Sequence, residues 1–447
     1  MTRALANTII VFAALVLFGV LFQAPISVLA DVHAPDAALL LKAWKEILLG
    51  VIGVLLVVLI WRTDTIKELL RDKLLWLVGA IGVLHVVLLL VFDNHYVSEA
   101  AGLLIDVRTY LFFAELYVLV RIWPSAKRPL LLTFGVGAGI VLLFAVLQAT
   151  ALPRDILASI GYSDETIKPY LTVDLNPDYV RISSTLRGPN PLGALAVITL
   201  SFAVVKLLQC VARKKYDYRY IALLLCGALA SGVALWYSYS RSALLGAAVA
   251  MAVIAVAWAA KKLPVKVLFA SFAALIVLMG GALYITKDTS FVQNVVFHSN
   301  PDGGSEHKSD HGHAESLAEG VEAAANQPFG AGIGGVGSAS LLTDEPLIIE
   351  NQYLYIAHES GWVGLALQLW LFGWLLLLLW RDRQHGLSLG LAASGLGMAV
   401  IGLVLPVWAD DTIGLIWWGL AGITAATIVR SSGKTPQKRT SVSTLKK

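Results

Sequence analysis

The feature that most constrains this chain is the recurrence of apolar stretches of about 18 residues or more along nearly its whole length. Stretches of that length cross a bilayer as helices, whereas buried helices of water-soluble proteins are shorter or amphipathic. Of the 447 residues, 57% are hydrophobic and 14% are charged, which is too few charges to cover a soluble domain of this size. The sequence therefore predicts an all-α fold, a polytopic integral membrane helical bundle.

The apolar stretches predict about twelve transmembrane helices. The loops after even-numbered spans are basic, as at Lys127 and Arg128, and the short loops after odd-numbered spans nearly lack Lys and Arg. By the positive-inside tendency both termini are cytoplasmic. The predicted spans are 8–24, 44–61, 74–92, 100–122, 129–149, 191–211, 219–237, 242–260, 266–285, 352–379, 388–408 and 413–429.

Residues 1–430 are predicted to form one transmembrane domain, and 431–447 a disordered cytoplasmic tail rich in Lys, Ser and Thr. The formal net charge of +4 lies mostly in short loops and the tail, which indicates membrane orientation and no nucleic-acid partner. Cys210 and Cys226 lie in or beside apolar spans and predict neither a disulfide framework nor a zinc site. The first span has no clear cleavage site and is expected to be a retained helix.

Three segments are expected to share the extracytoplasmic side: the loop at 150–190, the turn at 239–242 and the long loop at about 287–351. The long loop is the one extended polar block between spans, and long ordered loops are disproportionately functional. Nucleotide triphosphates are absent on that side of a membrane. Any group transfer there would therefore use a donor that is already activated, such as a lipid diphosphate.

Three arginines near these external segments are candidate ligands of an anion. Arg181 and Arg187 precede the span that opens at Pro191, and Arg241 lies between two spans, flanked by serines. Guanidinium groups suit a diphosphate through bidentate hydrogen bonds and fixed charge. Interfacial snorkelling to lipid headgroups stays open for the first two arginines. For Arg241, the alternative is a structural pair with an acidic residue such as Asp410 or Asp411.

Span four carries Asp106, Arg108 and Glu115, and charged residues inside a span are functional candidates. Asp106 and Arg108 are two residues apart and so do not share a helix face, whereas Arg108 and Glu115 are seven apart and do. Interhelical ion pairing is the alternative to a functional role for these three charges.

Glu350 lies where the long loop returns to the membrane, and it can act as a general base beside an acceptor hydroxyl. Its alternative role is that of an N-cap or first-turn acid that interacts with the helix dipole. His358 follows eight residues later, two turns deeper and roughly on the same helix face, as a proton-relay partner or a hydrogen-bonded helix residue.

Two further patterns in the long loop do not indicate a ligand site. His307, His311 and His313 with Asp310 match no strong metal-ligand spacing, so a solvated loop is favoured and no metal is expected. The glycine-rich stretch 330–337 lacks the preceding strand of a dinucleotide-binding loop. We expect it to form a tight turn that packs against the membrane entrance.

Four motifs occur in an order typical of one family: an arginine ahead of a Pro-Asn pair at a span entrance, a Ser-Arg-Ser turn that opens a span, a Pro-x-Gly-x-Gly-x-Gly turn, and a Glu-x-Gly-x-x-Gly segment. They are carried by Arg181 with Pro189-Asn190, by Ser240-Arg241-Ser242, by Pro328, Gly330, Gly332 and Gly334, and by Glu359-Ser360-Gly361-Trp362-Val363-Gly364. Over residues 100–430 the chain thus resembles the superfamily of O-antigen ligases and O-antigen polymerases, which includes capsule and exopolysaccharide polymerases.

The resemblance implies an inverting, metal-independent glycosyl transfer of the type-C membrane kind, without a cofactor. The donor would be a glycan on undecaprenyl diphosphate, and the acceptor would be another lipid-linked glycan in a polymerase or a lipid or protein in a ligase. The enzyme would lie in the bacterial inner membrane among membrane lipids, with its active site facing the periplasm or exterior. The implied residues are Glu350 or His358 as the base, Arg181, Arg187 and Arg241 on the diphosphate, and Arg108, Asn351 and Tyr353 in support.

One departure from the family pattern bears on the acceptor. The ligases carry a catalytic histidine immediately before the residue equivalent to Asn351, and Glu350 stands there in this chain. An acidic residue at that place resembles polymerase-like members, so a polymerase is favoured over a ligase. A polytopic transporter or flippase also fits twelve spans with both termini inside, but the large one-sided loop is unexpected for it.

Overall fold

The computed structural model describes residues 1–173, 175–213, 217–259, 281, 284–289, 292–293, 309–344 and 346–432. These residues are almost wholly helical. The helices are α1 (Thr2–Gly19), α2 (Gln23–His33), α3 (Ala38–Lys42), α4 (Trp44–Thr63), α5 (Ile66–Leu69), α6 (Lys73–Val91), α7 (Tyr96–Ile122), α8 (Lys127–Thr150), α9 (Pro189–Arg213), α10 (Tyr218–Tyr237), α11 (Arg241–Ala259), α12 (Ser309–Asn326), α13 (Gly337–Ser340), α14 (Gln352–Arg381), α15 (Gly386–Ile401) and α16 (Asp411–Ser432).

The predicted class, an all-α polytopic membrane protein, is confirmed. Within the described residues, nine helices are long and apolar enough to cross a membrane. The predicted span at 100–122 corresponds to α7, which falls outside those nine and carries Glu99, Asp106, Arg108, Glu115 and Arg121. The predicted span at 388–408 corresponds to α15, a shorter apolar helix of 16 residues. The total of twelve stays a prediction.

Several predictions concern residues that the structure leaves undescribed. The span at 266–285 lies outside the described residues except at 281, 284 and 285. The tail at 431–447 is described only through Ser432, the last residue of α16. His307 is outside the described residues, and the side chains of His311 and His313 are undescribed.

The charged helix α7 lies in the middle of the bundle and packs along α16. Glycines on α16 let the two backbones approach closely: a Cβ at Gly422 would lie 2.5 Å from the carbonyl oxygen of Phe113, and one at Gly414 would lie 2.6 Å from Thr109 Cγ2. Small residues at such crossings favour helix association in membranes. The packing therefore keeps Arg108 and Glu115 inside the protein, where both are buried.

A second close crossing joins α11 to α15. A Cβ at Gly246 would lie 2.9 Å from the carbonyl oxygen of Gly397, and a Cβ at Gly397 would lie 2.5 Å from that of Gly246. The first turn of α9 packs on the start of α11, where Gly193 has space for no more than a hydrogen beside Ala243. These crossings fix the starts of α9 and α11 relative to the end of α15.

The loop between α8 and α9 contains the one element pair in the described chain that is not helical. Strands β1 (Leu171–Val173) and β2 (Asn176–Arg181) form an antiparallel hairpin in which Leu171 pairs with Arg181. The apolar and basic patterns of the sequence did not predict this hairpin. It matters because its last residue is Arg181, one of the predicted site arginines.

The sequence predicts one continuous span at 352–379, but the corresponding helix α14 is broken at Gly361, whose φ of 66° and ψ of −178° are not helical. The cause is a piece of the long loop that enters the helix at this point. Trp362 N donates to the carbonyl oxygen of Pro328 at 3.0 Å, and a Cβ at Gly361 would lie 2.5 Å from the carbonyl carbon of Phe329. Glycine accommodates both the backbone angle and the close approach.

Candidate functional site

The structure brings the predicted external segments to one end of the bundle, which we call the site end: the end at which α9, α11 and α14 begin. The hairpin joins α10 there, because Ile182 N donates to Tyr237 O at 3.1 Å. The start of α14 joins the end of α15, because Gln352 N donates to Gly402 O at 2.8 Å. Segments 150–190, 239–242 and 346–351 thus share this end.

Arg181 is held in place at the site end by two other elements. Its Nε donates to Ser238 O at 2.9 Å, and its Nη2 donates to the side-chain oxygen of Asn190 at 2.8 Å. The asparagine of the Pro-Asn pair therefore orients the arginine that precedes it in the motif. Ser238 is three residues before Arg241, so Arg181 lies beside the turn that leads into α11.

The turn before Arg241 has an unusual backbone. Tyr239 has a φ of 46°, a left-handed conformation that costs a non-glycine residue roughly 1 kcal/mol or more. The ring of Tyr239 packs edge-on against Tyr179 and Tyr237, with centroid distances of 6.0 and 6.3 Å. The hairpin thereby fixes the turn from which Arg241 starts α11.

A polar cavity of about 170 Å³ lies beside Arg181. It is bounded by the end of α8, the hairpin and the Tyr237–Tyr239 turn. Its polar and aromatic lining consists of Gln148, Arg154, Tyr170, Asp178, Arg181, Tyr237 and Tyr239. Aromatic faces with nearby charged and amide groups give this cavity both apolar and hydrogen-bonding surfaces.

The start of α14 is capped by Asn351, whose side-chain oxygen accepts from Tyr353 N at 2.9 Å and Leu354 N at 3.0 Å. The Asn351 amide also donates to Leu403 O at 2.8 Å. Tyr353 donates its hydroxyl proton to Ala399 O at 2.7 Å. These two predicted supporting residues therefore join α14 to α15 and the segment that follows it.

Glu350 precedes the cap and lies outside α14, so the prediction that it shares a helix face with His358 is wrong. The prediction counted helical turns from Glu350, but α14 begins only at Gln352. The N-cap role considered for Glu350 belongs to Asn351. Glu350 is half-buried at the site end.

His358 lies in the first half of α14, against the glycine-rich turn. Its side chain is 6% exposed, and its Nε2 is 3.7 Å from the position that a Cβ would take at Gly335. Its backbone oxygen accepts from Ala331 N at 2.6 Å. Within the described residues its Nδ1 has no hydrogen-bond partner. The imidazole therefore faces the turn that was expected to pack at the membrane entrance.

The glycine-rich turn, residues 328–337, is fixed from two sides. Asn94, between α6 and α7, donates its amide to the backbone oxygens of Ala331 at 3.1 Å and Ile333 at 3.2 Å. Gly332 N donates to Glu359 O at 3.2 Å on the other side. A Cβ at Gly334 would lie 2.3 Å from Ser98 O, so glycine is needed there for space as well as for its φ of 83°.

Glu359, which the motif contains but which received no role from the sequence, is the most buried acid in this region at 1% exposure. Its Oε1 accepts from Gly334 N at 2.9 Å. Asp106 on α7 is close enough to interact electrostatically with the Glu359 carboxyl group. Within the described residues, neither Glu359 Oε2 nor Asp106 Oδ2 has a hydrogen-bond partner. We call Asp106 and Glu359 the carboxyl pair, since both are acids that lie side by side next to the glycine-rich turn.

Two further side chains surround the carboxyl pair. Tyr355 donates its hydroxyl proton to Asp106 Oδ1 at 3.4 Å. His85 on α6 uses Nδ1 to bond Ile81 O at 2.8 Å, and its Nε2 is 4.0 Å from Asp106 Oδ2. The group therefore combines several proton-exchanging side chains next to the glycine-rich turn.

Arg108 has the interhelical pairing that the sequence left open. Its Nη1 is 3.2 Å from Glu46 Oε1, and its Nη2 forms an ion pair with Asp411. Lys45 completes the group at 3.1 Å from Glu46 and 2.9 Å from Asp411. We call Lys45, Glu46, Arg108 and Asp411 the ion network; its two cations and two anions balance.

The electrostatic field of Arg187 acts on both Asp410 and Asp411. Arg187 therefore lies close to the ion network, whereas Arg181 lies beside the turn that leads into Arg241. The structure thus places all three predicted diphosphate ligands at the site end.

Comparison with known proteins gives one family match. Residues 226–369, about a third of the chain, match the family model described as O-antigen ligase. This segment is similar to the O-antigen ligase family. The resemblance to the O-antigen ligase and polymerase superfamily is thereby confirmed. No curated protein matches the sequence.

The segment that matches the family contains only part of the candidate site. Arg241, the glycine-rich turn, Glu350, His358 and Glu359 fall inside the matched residues. Arg181, Arg187 and Asp106 come from the preceding part of the chain, and Asp411 from the following part. The matched segment therefore contacts both flanking regions, through Tyr355 with Asp106 and through Gln352 with Trp408.

Proposed function

We propose that the protein joins glycan units carried on undecaprenyl diphosphate to an acceptor glycan at the extracytoplasmic face of the bacterial inner membrane, as a polymerase of O-antigen, capsule or exopolysaccharide type. The transfer inverts the anomeric centre and needs neither metal nor cofactor. The site end faces the periplasm or exterior, and both termini are cytoplasmic. Ligation of the glycan to a lipid or protein acceptor is the second candidate, favoured by the description of the matched family.

The observation that carries the proposal is the setting of Arg181 beside the segment that matches the O-antigen ligase family. The arginine is fixed by Ser238 O and Asn190, beside the turn that starts α11 at Arg241. A preorganised cation is effective at stabilising charge that develops on a leaving group. In the proposal Arg181, Arg187 and Arg241 bind the diphosphate, and the cavity beside Arg181 receives the sugar attached to it.

The acceptor hydroxyl must lose a proton during the transfer. Glu350 at the head of α14 and His358 in its first half are the two candidate bases. The burial of His358 against the glycine-rich turn gives it a defined position, and Glu350 occupies the sequence position at which ligases carry their histidine. Both assignments are tested by comparing Glu350→Gln with His358→Ala.

The test of the reaction uses purified protein and lipid-linked repeat units with no other acceptor. A ladder of products supports a polymerase, and a product that forms only after a second acceptor is added supports a ligase. Uptake of substrate into proteoliposomes without any glycan product would contradict the proposal and favour a transporter. The dead variant in the same assay, Glu350→Gln or His358→Ala, identifies the base.

The arginine assignment is tested by Arg241→Ala. We expect single lipid-linked units to accumulate and polymer to disappear, because the leaving diphosphate loses a fixed cation. Arg219→Ala is the matched control, since Arg219 is exposed at the opposite end of the bundle, at the start of α10. Polymer of normal length in a correctly inserted Arg241→Ala variant would reject the assignment.

A further inference from the structure

Two apolar cavities lie between α4 and α6, with α7 as their back wall. The first, about 580 Å³, reaches from Glu46 and Arg108 to Gly79. The second, about 770 Å³, reaches from Gly79 to Trp61 and Asp64. Both cavities are lined by Gly79 and Val83, so they form one continuous cleft, which we call the α4/α6 cleft.

The walls of the α4/α6 cleft are apolar and open to the surroundings of the bundle. Val57, Trp61 and Val83 are 65%, 80% and 64% exposed. Gly79 and Gly82 have no described atom within 4 Å of a Cβ placed on them. Since α4 and α6 are both membrane-spanning candidates, this surface faces the hydrocarbon region, and the cleft is a lateral opening for a hydrocarbon chain.

The length of the cleft discriminates between lipid classes. From Glu46 to Thr63 helix α4 rises about 26 Å, which is nearly the whole hydrocarbon thickness of about 30 Å. The acyl chains of a phospholipid occupy one leaflet, about half of that thickness. A chain that fills the cleft must pass the bilayer midplane, as a polyisoprenoid chain does because it is several times longer than an acyl chain.

The polar end of the cleft connects it to the candidate site. Glu46 Oε2 and Arg108 Nε are buried, and within the described residues neither atom has a hydrogen-bond partner. Arg108 pairs with Asp411, and Asp411 is within the field of Arg187. A headgroup at this end would therefore lie next to the ion network and close to one of the three proposed diphosphate ligands.

We propose that the α4/α6 cleft binds the polyisoprenoid chain of the lipid-linked donor, an inference that rests on the proposed function for the identity of that donor. The chain lies along α4 and α6 from the ion network past the midplane, and its diphosphate projects toward Arg187. This assigns a substrate-binding role to the first quarter of the chain, which lies outside the segment that matches the family.

The experiment measures binding without requiring turnover. Purified protein in phosphatidylethanolamine and phosphatidylglycerol vesicles is irradiated with a polyprenyl monophosphate that carries a photoreactive group midway along its chain. We expect the label on α4 and α6 residues of the cleft, mapped by mass spectrometry. Label spread evenly over the lipid-facing surface would overturn the proposal, and so would equal labelling of the cleft by an acyl-chain probe.

Variants sharpen the assignment. Gly79→Leu and Gly82→Leu each place a side chain in the cleft, and we expect about tenfold weaker labelling, equivalent to about 1.4 kcal/mol. Gly139→Leu on α8 is the matched control, because Gly139 also faces open space and is outside the cleft. Unchanged labelling in variants that elute as folded protein would overturn the proposal, as would cross-links between two copies of the chain through these helices.

A functional comparison separates this inference from the proposed function. With a donor that carries a shortened prenyl chain, Gly79→Leu and the wild type should have equal KM, whereas the full-length donor should show a higher KM in the variant only. If Gly79→Leu and the wild type also had equal KM with the full-length donor, the cleft would be rejected as the binding site of the chain. The proposed transferase activity would stand. Absence of transfer by the wild type, together with labelling of the cleft, would reject the proposed function while the binding site stands.

Discussion

Arg108 and Asp106 lie on two different faces of α7, and their charges are buried in opposite ways. Arg108 points to Glu46 and Asp411, and with Lys45 it forms a network of equal opposite charges. Asp106 points to another acid, Glu359, beside the backbone N–H of Gly334. The first arrangement satisfies the charges that it contains. The second brings two acids together, with no described cation paired to Glu359.

The difference indicates which face has which role. A balanced buried ion pair holds helices in register, and removing one member leaves an uncompensated charge. Adjacent carboxyls of like charge are found where proton affinity is tuned, which is why such pairs mark functional sites. We therefore assign a structural role to the Arg108 face, and a role in positioning the glycine-rich turn to the Asp106 face.

The largest effect is expected for Arg108→Ala, which tests the structural role of the Arg108 face. The variant leaves Glu46 and Asp411 against Lys45 alone, and loss of one buried partner costs about 3–5 kcal/mol. We expect a large fall in Tm, measured by tryptophan fluorescence in detergent micelles. Arg219→Ala, at an exposed site, should stay within about 0.5 kcal/mol of the wild type. A wild-type Tm for Arg108→Ala would refute the structural role of that face.

On the other face, Gly334→Ala should be strongly destabilising. The left-handed backbone alone costs an alanine about 1–2 kcal/mol, and its Cβ would meet Ser98 O at 2.3 Å, which adds to that cost. The neighbouring variant Gly335→Ala is the control, because its Cβ would find its nearest atom, His358 Nε2, at 3.7 Å. Equal unfolding temperatures for the two variants would show that the turn is not fixed as described.

Because two buried carboxyl groups of like charge disfavour double ionisation, we expect Asp106 and Glu359 to share a proton, and Glu359→Ala against Glu359→Gln tests this expectation. Alanine leaves the buried N–H of Gly334 without its acceptor, which costs about 1–3 kcal/mol. Glutamine keeps an oxygen acceptor for Gly334, and its amide can donate to Asp106 as a protonated carboxyl does. We expect thermal unfolding to separate the two variants. If glutamine is as damaging as alanine, the pair does not share a proton.

The smallest effect is expected at Asp410, which adds a carboxyl group beside the ion network. Burial raises the pKa of Asp410, so the folded state binds its proton more tightly than the unfolded state. Stability from this group is present at low pH and is lost as the pH rises through the folded pKa. Asp410→Asn removes the titration and should flatten the pH dependence of Tm.

The same variant should leave the start of α16 intact. Asp410 Oδ1 accepts from Thr412 N at 3.0 Å and Ile413 N at 2.9 Å, and asparagine retains such an oxygen. We expect a gain below about 1 kcal/mol at neutral pH, measured by thermal unfolding from about pH 4 to about pH 8. A steeper pH dependence in the variant would contradict the raised pKa of Asp410.

The apolar runs predicted the fold class because helix length and hydrophobicity are local properties. Motif patterns also predicted that Arg181, Arg241 and the glycine-rich turn belong to the site, and their roles stay predictions. The break at Gly361 escaped prediction because its cause is backbone more than 30 residues earlier, at Pro328 and Phe329.

The sequence also could not predict which side chains pair between distant helices. The separation of Asp106 and Arg108 by two residues did predict that they lie on different faces. The local sequence does not predict that Glu359 contacts one face and Asp411 the other, because these contacts join positions some 250 and 300 residues apart. The role of Glu359 could have been sought from its place in the Glu-x-Gly motif next to a buried helix.

The anchoring of the glycine-rich turn by Asn94 has a consequence for how the protein is made. Asn94 leaves the ribosome well before Ala331 and Ile333, whose oxygens it binds, and domains emerge in order from the N-terminus during synthesis. The helices before and after Asn94 are therefore inserted in the membrane before the glycine-rich turn that Asn94 binds has been synthesised. Completion of the site is a late event in biogenesis, and a truncated product cannot acquire it.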